Sequence, residues 1–278
     1  KKTLSTTTAK SSQRLRCYMN RKVNRPAIRN ILAAVLLMAV SASGGADSAP
    51  KVTANIDPQP ALKAKTLSPF ELRYQLKAYG LSGEGVLKLQ TTDIAGQYLL
   101  SSRTEATGLA SLIRPNAAIE SSRFTMDGET IRVDEYHFNS GSGDKLEDSH
   151  ASFDWDAGIA HSNHQEELAD VALRPGMLDR MSADLQVTLD LKAGKQPSAY
   201  TMVHRNSAKT YEFIYQGEDT VKTPAGTFKA IKYLRQRPGS SRSAFIWYAP
   251  ELAYQAVKVI QLKNGKKGAT LLLSSYWL

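Results

Sequence analysis

Apolar and polar residues alternate along much of this chain with a period of two, most regularly from Phe70 to Lys77. A β-strand places successive side chains on opposite faces, so this period predicts a strand with one buried face and one solvated face. A helix would scatter the charged residues of the same segment around its circumference. The recurrence of the alternation predicts a mainly β protein.

Turn-forming residues separate the alternating segments. Asp127-Gly128 and Asn264-Gly265 tolerate positive φ angles, and Thr223-Pro224-Ala225-Gly226 combines a proline that fixes φ with a closing glycine. The strands on either side of each turn are therefore expected to be antiparallel neighbours. The predicted strands cover residues 70–77, 85–91, 97–107, 118–126, 130–138, 148–155, 199–205, 211–215, 228–234, 243–248, 256–263 and 269–277.

One segment has the spacing of a helix instead. The spacing predicts a helix over 177–191 with a single apolar stripe, and with Asp179 in the first turn, where the helix dipole favours a carboxylate. The β-branched Val187 and Thr188 predict fraying beyond Gln186. The apolar residues that recur every three or four positions are Met177, Leu178, Met181, Leu185 and Leu189.

About ten antiparallel strands and one substantial helix define the expected fold. A long antiparallel sheet twists and curls, because this hides its apolar face and its edges. A single helix has few places to bury an apolar stripe other than the concave side of such a sheet. We therefore expect a curved antiparallel sheet or open barrel with one packed α-helix, and a short helical turn over 109–113.

The N-terminal part of the chain carries the three regions of a secretory signal peptide. An uncharged apolar run from Ile31 to Val40 follows a basic stretch and precedes small residues, and it is too short to span a bilayer. Cleavage is expected after Ala42 or Ala46. This predicts export to the periplasm of a Gram-negative bacterium, with no transmembrane segment left after cleavage. The alternative is an uncleaved amphipathic or membrane-anchoring helix.

These features divide the chain into four segments. Met19 stands just before the basic stretch and is the natural initiator, so residues 1–18 are expected to be translated upstream sequence. Residues 19–46 form the expected signal peptide, and residues 47–67, rich in Ala, Lys, Pro and Asp, an extended linker. Residues 68–278 are expected to fold as a single β-rich domain.

The charge of the chain is concentrated in its N-terminal part. The whole sequence has 36 Lys and Arg against 26 Asp and Glu, but from Pro50 onward the numbers are 27 and 25. Without a concentrated basic surface, a nucleic-acid partner is not expected. Cys17 is the one cysteine and lies before the apolar run, so neither a lipid anchor nor a disulfide is expected in the exported protein.

Motifs for catalysis or metal binding are weak. His161 and His164 form the one local cluster of metal-type ligands, but a His-x-x-His pair points to opposite faces of a strand, and a solvated loop or edge strand is the expected structure. The sequence contains no Gly-x-Ser-x-Gly elbow, the motif that would indicate a serine nucleophile. We therefore expect no enzyme activity, no catalytic residues, no metal and no cofactor. An envelope hydrolase is the enzymatic alternative to the two non-enzymatic functions given below.

Aromatic residues of the predicted strands provide a candidate ligand site. Trp247 is expected to line the inside of the curved sheet together with Phe70, Leu72 and four other aromatic residues, where they form either a pocket for an acyl chain or glycan, or ordinary core. Asp179 is a further candidate, either as a functional residue or as the start of the helix. The other aromatic candidates are Tyr74, Tyr211, Phe213 and Tyr215.

The C-terminal third resembles domain of unknown function family 3108, a family of exported bacterial envelope proteins. The resemblance covers roughly residues 67–278 and implies a β-rich envelope protein without an agreed activity. It extends to Asp179-Arg180-Met181-Ser182 in the predicted helix. Its most distinctive segments are Tyr211-Glu212-Phe213, the Pro-x-Gly hairpin within 221–232, Phe245-Ile246-Trp247-Tyr248-Ala249-Pro250 and Val257-Lys258-Val259.

Two functions follow from these observations. The first is a non-enzymatic periplasmic envelope protein that serves as a binding or structural module, with lipid, lipoprotein or peptidoglycan as its partner. The alternative is a periplasmic carrier or chaperone that binds a lipid or lipoprotein acyl chain in the concave sheet.

Overall fold

The computed structural model describes residues 66–141 and 146–278. The predictions of an upstream segment, a signal peptide and its cleavage, and a linker as far as residue 65 lie outside these residues. The helix α1 is Arg180–Lys192. The strands are β1 Phe70–Ala78, β2 Leu81–Thr91, β3 Gln97–Thr107, β4 Ala118–Asp127, β5 Thr130–Asn139, β6 Asp148–Asp154, β7 Ile159–His164, β8 Glu167–Ala172, β9 Ala199–Val203, β10 Ala208–Thr223, β11 Gly226–Gln236, β12 Arg242–Ala249, β13 Gln255–Lys263 and β14 Lys266–Trp277.

All fourteen described strands belong to one antiparallel sheet. Its order is β8-β7-β6-β5-β4-β3-β2-β1-β14-β13-β12-β11-β10-β9, so each strand from β1 to β8 and from β9 to β14 pairs with its neighbour in sequence. The strand β1 pairs with both β2 and β14 and joins the two halves. The edges are β8 and β9, which flank α1 in the sequence. The predicted mainly β class with an antiparallel, barrel-like sheet is confirmed.

The expected count of about ten strands is too low, because the predicted segments already number twelve and the hairpin of β7 and β8 brings the described strands to fourteen. The segment of His161 and His164, expected to be a loop or an edge strand, is β7, which pairs with both β6 and β8. Both strands of this hairpin are six residues long, and β8 has the sequence Glu-Leu-Ala-Asp-Val-Ala, in which Leu168 is exposed and small alanines replace large apolar residues. Its alternation therefore carries little hydrophobic contrast.

The predicted turns are confirmed. Asp127 pairs with Thr130, Lys263 with Lys266, and Thr223 with Gly226, so each hairpin has a two-residue loop. Asn264 and Gly265 have φ angles of 51° and 71°, the left-handed pair that matches the twist of the flanking strands.

Side chains close the gap between the two sheet edges. Ser162 Oγ donates to Asn206 Oδ1 at 2.8 Å, and Asn206 Nδ2 donates to the carbonyl of Glu167 at 2.8 Å. Arg205 forms an ion pair with Glu147 across the same gap. The predicted strand over 199–205 ends at Val203, because Arg205 and Asn206 adopt positive φ angles in the turn that makes these contacts.

The helix α1 packs inside the curved sheet, as expected, but differs from the prediction in three respects. It begins at Arg180 rather than at Met177, since Asp179 is its N-cap. It has no single apolar stripe, because the polar Ser182 and Gln186 are buried as well. It continues to Lys192 without fraying beyond Gln186, because the surrounding sheet encloses its β-branched residues.

The hairpin of β10 and β11 folds back over the outer face of the sheet. An irregularity after Tyr215 places Gly217 at a φ of 94°, and the part of β10 beyond it contacts β13 and β14. The backbone N–H of Ala225 at the tip donates to the carbonyl of Leu273 at 3.1 Å. Val221 and Phe228 are thereby buried on a face that would otherwise meet solvent.

Candidate functional site

A cavity of about 140 Å³ lies between α1 and the strands β1 to β3 and β11 to β14. The helix contributes Arg180, Asp184 and Thr188, which lie one turn apart on one face. The strands contribute mainly apolar side chains, together with the polar side chains of Tyr74, Ser102, Thr104, Arg235, Tyr248 and Gln255. The apolar wall residues include Phe70, Val86, Leu87, Leu100, Ile246, Val259 and Leu271.

Small residues leave the space for this cavity. Gly85 pairs with Tyr74 on one side and with Thr104 on the other, and it has no side chain to occupy the interior. A second cavity of about 220 Å³ shares Phe70, Leu185 and two other residues with the first and extends to the C-terminal end of α1 at Lys192. The two cavities therefore lie end to end along the helix.

Among the predicted site residues, Tyr74 lines the first cavity. Its side chain is buried, and its Oη donates to the carbonyl of Ala256 at 2.8 Å. Burial raises the pKa of Tyr74 well above its usual value, and the negative charge of Asp184 adds to this. The phenol is therefore a neutral, paired group in the cavity wall.

An ion pair at one end of the cavity joins the helix to the sheet. Arg235 Nη1 on β11 donates to both carboxylate oxygens of Asp184, at 2.5 and 2.7 Å. Tyr248 lines the cavity with this pair, and its Oη has no hydrogen-bond partner among the described residues. Burial, followed by the charge of Asp184, raises the pKa of Tyr248 well above its ordinary value.

A second buried pair connects the start of α1 to β4. Arg180 forms an ion pair with Glu120, and Arg180 Nε and Tyr136 Oη both donate to Glu120 Oε1, at 2.8 and 2.7 Å. The guanidinium carbon of Arg180 lies 5.1 Å from the ring centroid of Phe138. Burial raises the pKa of Glu120, and the charge and hydrogen bond of Arg180 oppose this rise.

Asp179, the other predicted site residue on the helix, is 0% exposed and does not line either cavity. Its Oδ1 accepts from the backbone N–H groups of Met181 and Ser182 at 2.7 and 2.9 Å, and Ser122 Oγ donates to its Oδ2. Ser182 Oγ in turn accepts from the Asp179 N–H at 2.9 Å, which completes a capping box. These contacts give Asp179 a role in starting the helix.

The candidates on β10 do not line the cavities. Tyr211 and Phe213 are buried in the core, where the ring of Phe213 packs edge-on against Tyr200 with 5.3 Å between centroids. Tyr215 is 47% exposed, because the pairing of β10 with β9 ends before it, at Glu212. The core alternative therefore applies to Tyr211 and Phe213, and none of the three residues lines either cavity.

Trp247 lies on the outer face of the sheet, and its expected inward position is wrong. Its neighbours Ile246 and Tyr248 occupy the cavity wall, so alternation turns Trp247 outward. It is nevertheless only 4% exposed, because Asp219 accepts from its Nε1 at 2.8 Å and the ammonium groups of Lys232 and Lys258 lie 5.2 and 4.4 Å from its ring centroid.

The two histidines of β7 make separate contacts. His161 Nδ1 lies 2.7 Å from Asp170 Oδ1, and His164 Nδ1 lies 2.6 Å from Ser149 Oγ. Within residues 66–141 and 146–278, no three His, Cys, Asp or Glu side chains are grouped as a metal site would require.

Sequence reasoning missed Asp184, Arg235 and Tyr248, three of the polar residues that line the first cavity. A signal existed for the helix, because Arg180 and Asp184 are charged residues four positions apart in a segment expected to be enclosed by the sheet. No comparable signal marked Arg235, since basic residues alternate with apolar ones on many exposed strands.

Lys209 lies near Arg205 and Arg237, and this group of basic residues predicts how the stability of the protein depends on pH. Burial, followed by the charges of Arg205 and Arg237, lowers the pKa of Lys209 from 10.5 to about 8. The unfolded chain therefore binds the proton more tightly between pH 8 and 10.5, and the stability owed to this residue rises as pH rises through that window.

We expect Lys209→Met to stabilise the protein at pH 7 by about 1 kcal/mol, after allowance for solvent screening of this half-buried group. Chemical denaturation at pH 7 and at pH 10.5 measures the effect, which should shrink at the higher pH. An equal gain at both values would show that the charge of Lys209 is not responsible.

The sequence matches the family described as Protein of unknown function (DUF3108) over residues 70–272, which spans nearly all of the sheet. The chain belongs to this family. The resemblance predicted from the hairpin and tryptophan segments is thereby confirmed. The comparison with curated proteins gave no match.

Two solved structures are similar to this DUF3108 chain at low sequence identity. A β-barrel-like protein of domain of unknown function DUF1849 from Brucella abortus is 11% identical, and the alignment covers 76% of this chain and 97% of that one, with a TM-score of 0.49. A putative exported protein with a YmcC-like fold from Bacteroides fragilis is 13% identical, with coverages of 75% and 95% and a TM-score of 0.33. At these scores, neither structure supports an argument about function.

Among the described residues of the DUF3108 chain, no helix has the length and apolar character needed to cross a membrane.

Proposed function

We propose that this chain is a non-enzymatic periplasmic envelope protein that binds an acyl chain inside its barrel-like sheet. The observation that carries the proposal is the cavity along α1, whose walls are mainly apolar and which continues into a second cavity toward Lys192. Concave apolar sites with a few polar groups at one end are typical of small-molecule binding. The elongated arrangement favours a linear chain over a compact ligand.

The size of the cavities supports a chain of medium length. A dry cavity of about 150 Å³ lined by aliphatic and aromatic side chains binds one benzene molecule. By that standard, cavities of about 140 and 220 Å³ placed end to end accommodate on the order of a dozen carbon atoms. An acyl chain of roughly this length is the simplest biological ligand of that shape.

The chemistry of the cavity supports binding rather than turnover. The carboxylate of Asp184 is held by Arg235, whose Nη1 donates to both of its oxygens. The hydroxyl of Tyr74 is already bonded to a backbone carbonyl. The proposed location is supported by the apolar run from Ile31 to Val40 and its flanking residues.

Native mass spectrometry of the protein extracted from its own periplasm tests this function. We expect a bound acyl lipid at a stoichiometry of one per chain. A ligand-free protein that captures peptidoglycan or a protein partner would contradict the proposal and favour a module without an acyl ligand.

A protein-docking module is the second candidate, favoured by one exposed apolar group. Leu109 is 82% exposed on the 3₁₀ turn Gly108–Leu112 between β3 and β4, and Leu112 and Ile113 are exposed beside it. Three aliphatic side chains that meet solvent together mark a contact surface more often than scattered ones do. Substituting all three with serine should abolish partner capture if this function is correct and leave partner capture unchanged if it is not.

Gly85→Val should occlude the cavity and stabilise the protein at the same time. A Cβ at this position would meet Thr104 Oγ1 at 3.6 Å and Tyr74 Cβ at 4.0 Å, which are ordinary contacts. Valine also suits a strand interior better than glycine by about 1 kcal/mol. We expect the free energy of unfolding to rise by about this amount, and the amount of bound acyl lipid to fall at least tenfold.

Glu84→Val is the matched control, because Glu84 is the exposed neighbour of Gly85 on β2. It raises strand propensity without entering the cavity, so lipid binding should be unchanged. Equal lipid loss in both variants would mean that the lipid does not occupy this cavity.

A further inference from the structure

The polar end of the first cavity contains hydrogen-bond donors that lack acceptors. Tyr248 is 2% exposed, yet its Oη has no partner among the described residues, and the same holds for Arg235 Nε and Arg180 Nη1. Buried polar groups are normally paired, because an unpaired donor loses its hydrogen bonds to water without replacement. All three side chains line the cavity.

The charges around the cavity are paired. Arg180 forms an ion pair with Glu120, and Arg235 forms one with Asp184, so the guanidinium and carboxylate charges balance. Both hydrogen bonds to Asp184 come from Arg235 Nη1, which leaves Arg235 Nε without an acceptor among the described residues. An oxygen acceptor would therefore find free donors at this end of the cavity, whereas an ammonium group would bring further donors that these groups do not accept.

We propose that the cavity selects its ligand by the carbonyl end of the acyl chain, whose oxygen accepts hydrogen bonds from Tyr248 Oη and Arg235 Nε. The methylene groups then extend along α1 past Leu185 toward the second cavity. This inference rests on the proposed acyl-chain function and adds the chemical class of the head group. The acyl carbonyl is common to free fatty acids and to acyl chains in ester linkage.

Isothermal titration of the delipidated full chain tests the selection with three 12-carbon ligands below their micelle concentrations. We expect dodecanoate or methyl dodecanoate to bind at least tenfold more tightly than dodecylammonium, which has the same chain and a cationic donor head. Tighter binding of dodecanoate than of the ester would identify free fatty acid as the source, and equal binding would identify an ester-linked chain. Equal affinity for dodecylammonium would overturn the inference.

Two tyrosines provide matched variants, one lining the cavity and one outside both cavities. Tyr248→Phe removes a hydroxyl without a partner among the described residues, so we expect an unchanged or higher Tm together with about tenfold weaker binding of the carbonyl ligand. Tyr200→Phe removes a hydroxyl that donates to Asp190 Oδ2 at 2.6 Å, so we expect a lower Tm and an unchanged preference for the carbonyl head. The inference is wrong if Tyr248→Phe lowers Tm as much as Tyr200→Phe and leaves affinity unaltered.

The failures of the two proposals are distinguishable. If all three 12-carbon ligands bind with one affinity, the head-group selection is wrong and acyl-chain binding stands. If none of them binds and the protein leaves the periplasm without lipid, both proposals are wrong.

Discussion

Replacing Glu120 with leucine is expected to lower the free energy of unfolding by about 3–5 kcal/mol, the largest effect of any single substitution considered. The change leaves the guanidinium of Arg180 buried without its counter-ion and removes the acceptor of the Tyr136 hydroxyl. An unpaired buried charge is destabilising because the interior does not replace its hydration. Urea denaturation followed by tryptophan fluorescence measures the loss.

The double variant Glu120→Leu with Arg180→Met is the control. Removing both charges leaves no unpaired ion, so most of the lost stability should return. A single-variant loss below about 1 kcal/mol, as for exposed ion pairs, would contradict a buried location of this pair.

Asp179→Ala is expected to lower the free energy of unfolding by about 3 kcal/mol. The substitution removes the acceptor for the N–H groups of Met181 and Ser182 and leaves the buried Ser122 hydroxyl without its acceptor. Loss of a cap alone amounts to about 1–2 kcal/mol, and an orphaned buried donor adds about 1 kcal/mol or more. Thermal denaturation by circular dichroism measures the change, and α1 is expected to be the element that loosens first.

Asp179→Asn separates the cap from the charge. Asparagine keeps an oxygen acceptor for the helix N–H groups, so we expect a smaller loss, of about 1 kcal/mol.

Burial raises the pKa of Asp179 above its ordinary 3.8, although hydrogen bonds from Ser122 and Ser182 oppose the rise. The folded state thus binds this proton more tightly, and the stability owed to Asp179 falls as pH rises through the window above 3.8. The asparagine variant should lack this decline, and an identical pH profile in both proteins would refute the assignment.

Local features of the fold were predictable because their causes are local. The loop residues Asn264 and Gly265 adopt positive φ angles with little strain, so their type and position determine the hairpin. The alternation around Phe70 to Lys77 likewise fixes which side chains of β1 face the interior. Hairpin neighbours and the mainly β class follow from such patterns alone.

The positions around Trp247 were not predictable in the same way. In the segment Ile246-Trp247-Tyr248 every residue is apolar or aromatic, so alternation does not identify the inner face. The inner face of the strand holds Ile246 and Tyr248. The distal part of the β10–β11 hairpin covers the outer face, where Trp247 lies. Whether both faces of this strand are covered depends on the β10–β11 hairpin. The residues of the strand itself therefore do not show which of its faces is the inner one.

The polar end of the cavity depends on contacts between residues far apart in the chain. Asp184 and Arg235 are separated by 51 positions, and their pairing requires both the inserted helix and the register of β11. Each residue alone has the pattern of an exposed charge. Most of the candidate site therefore emerged from the structure, with Phe70 and Tyr74 as the residues of the predicted row that line it.

The pairing of β1 with β14 affects how this protein assembles. Tyr74 on β1 bonds to a carbonyl 182 residues later in the chain, so the two halves of the sheet join only after β14, the last described strand, has been delivered. Contacts of such long sequence separation slow folding. Until then β1 presents an open row of backbone groups to which other chains can add, a hazard that makes a holding chaperone useful during biogenesis.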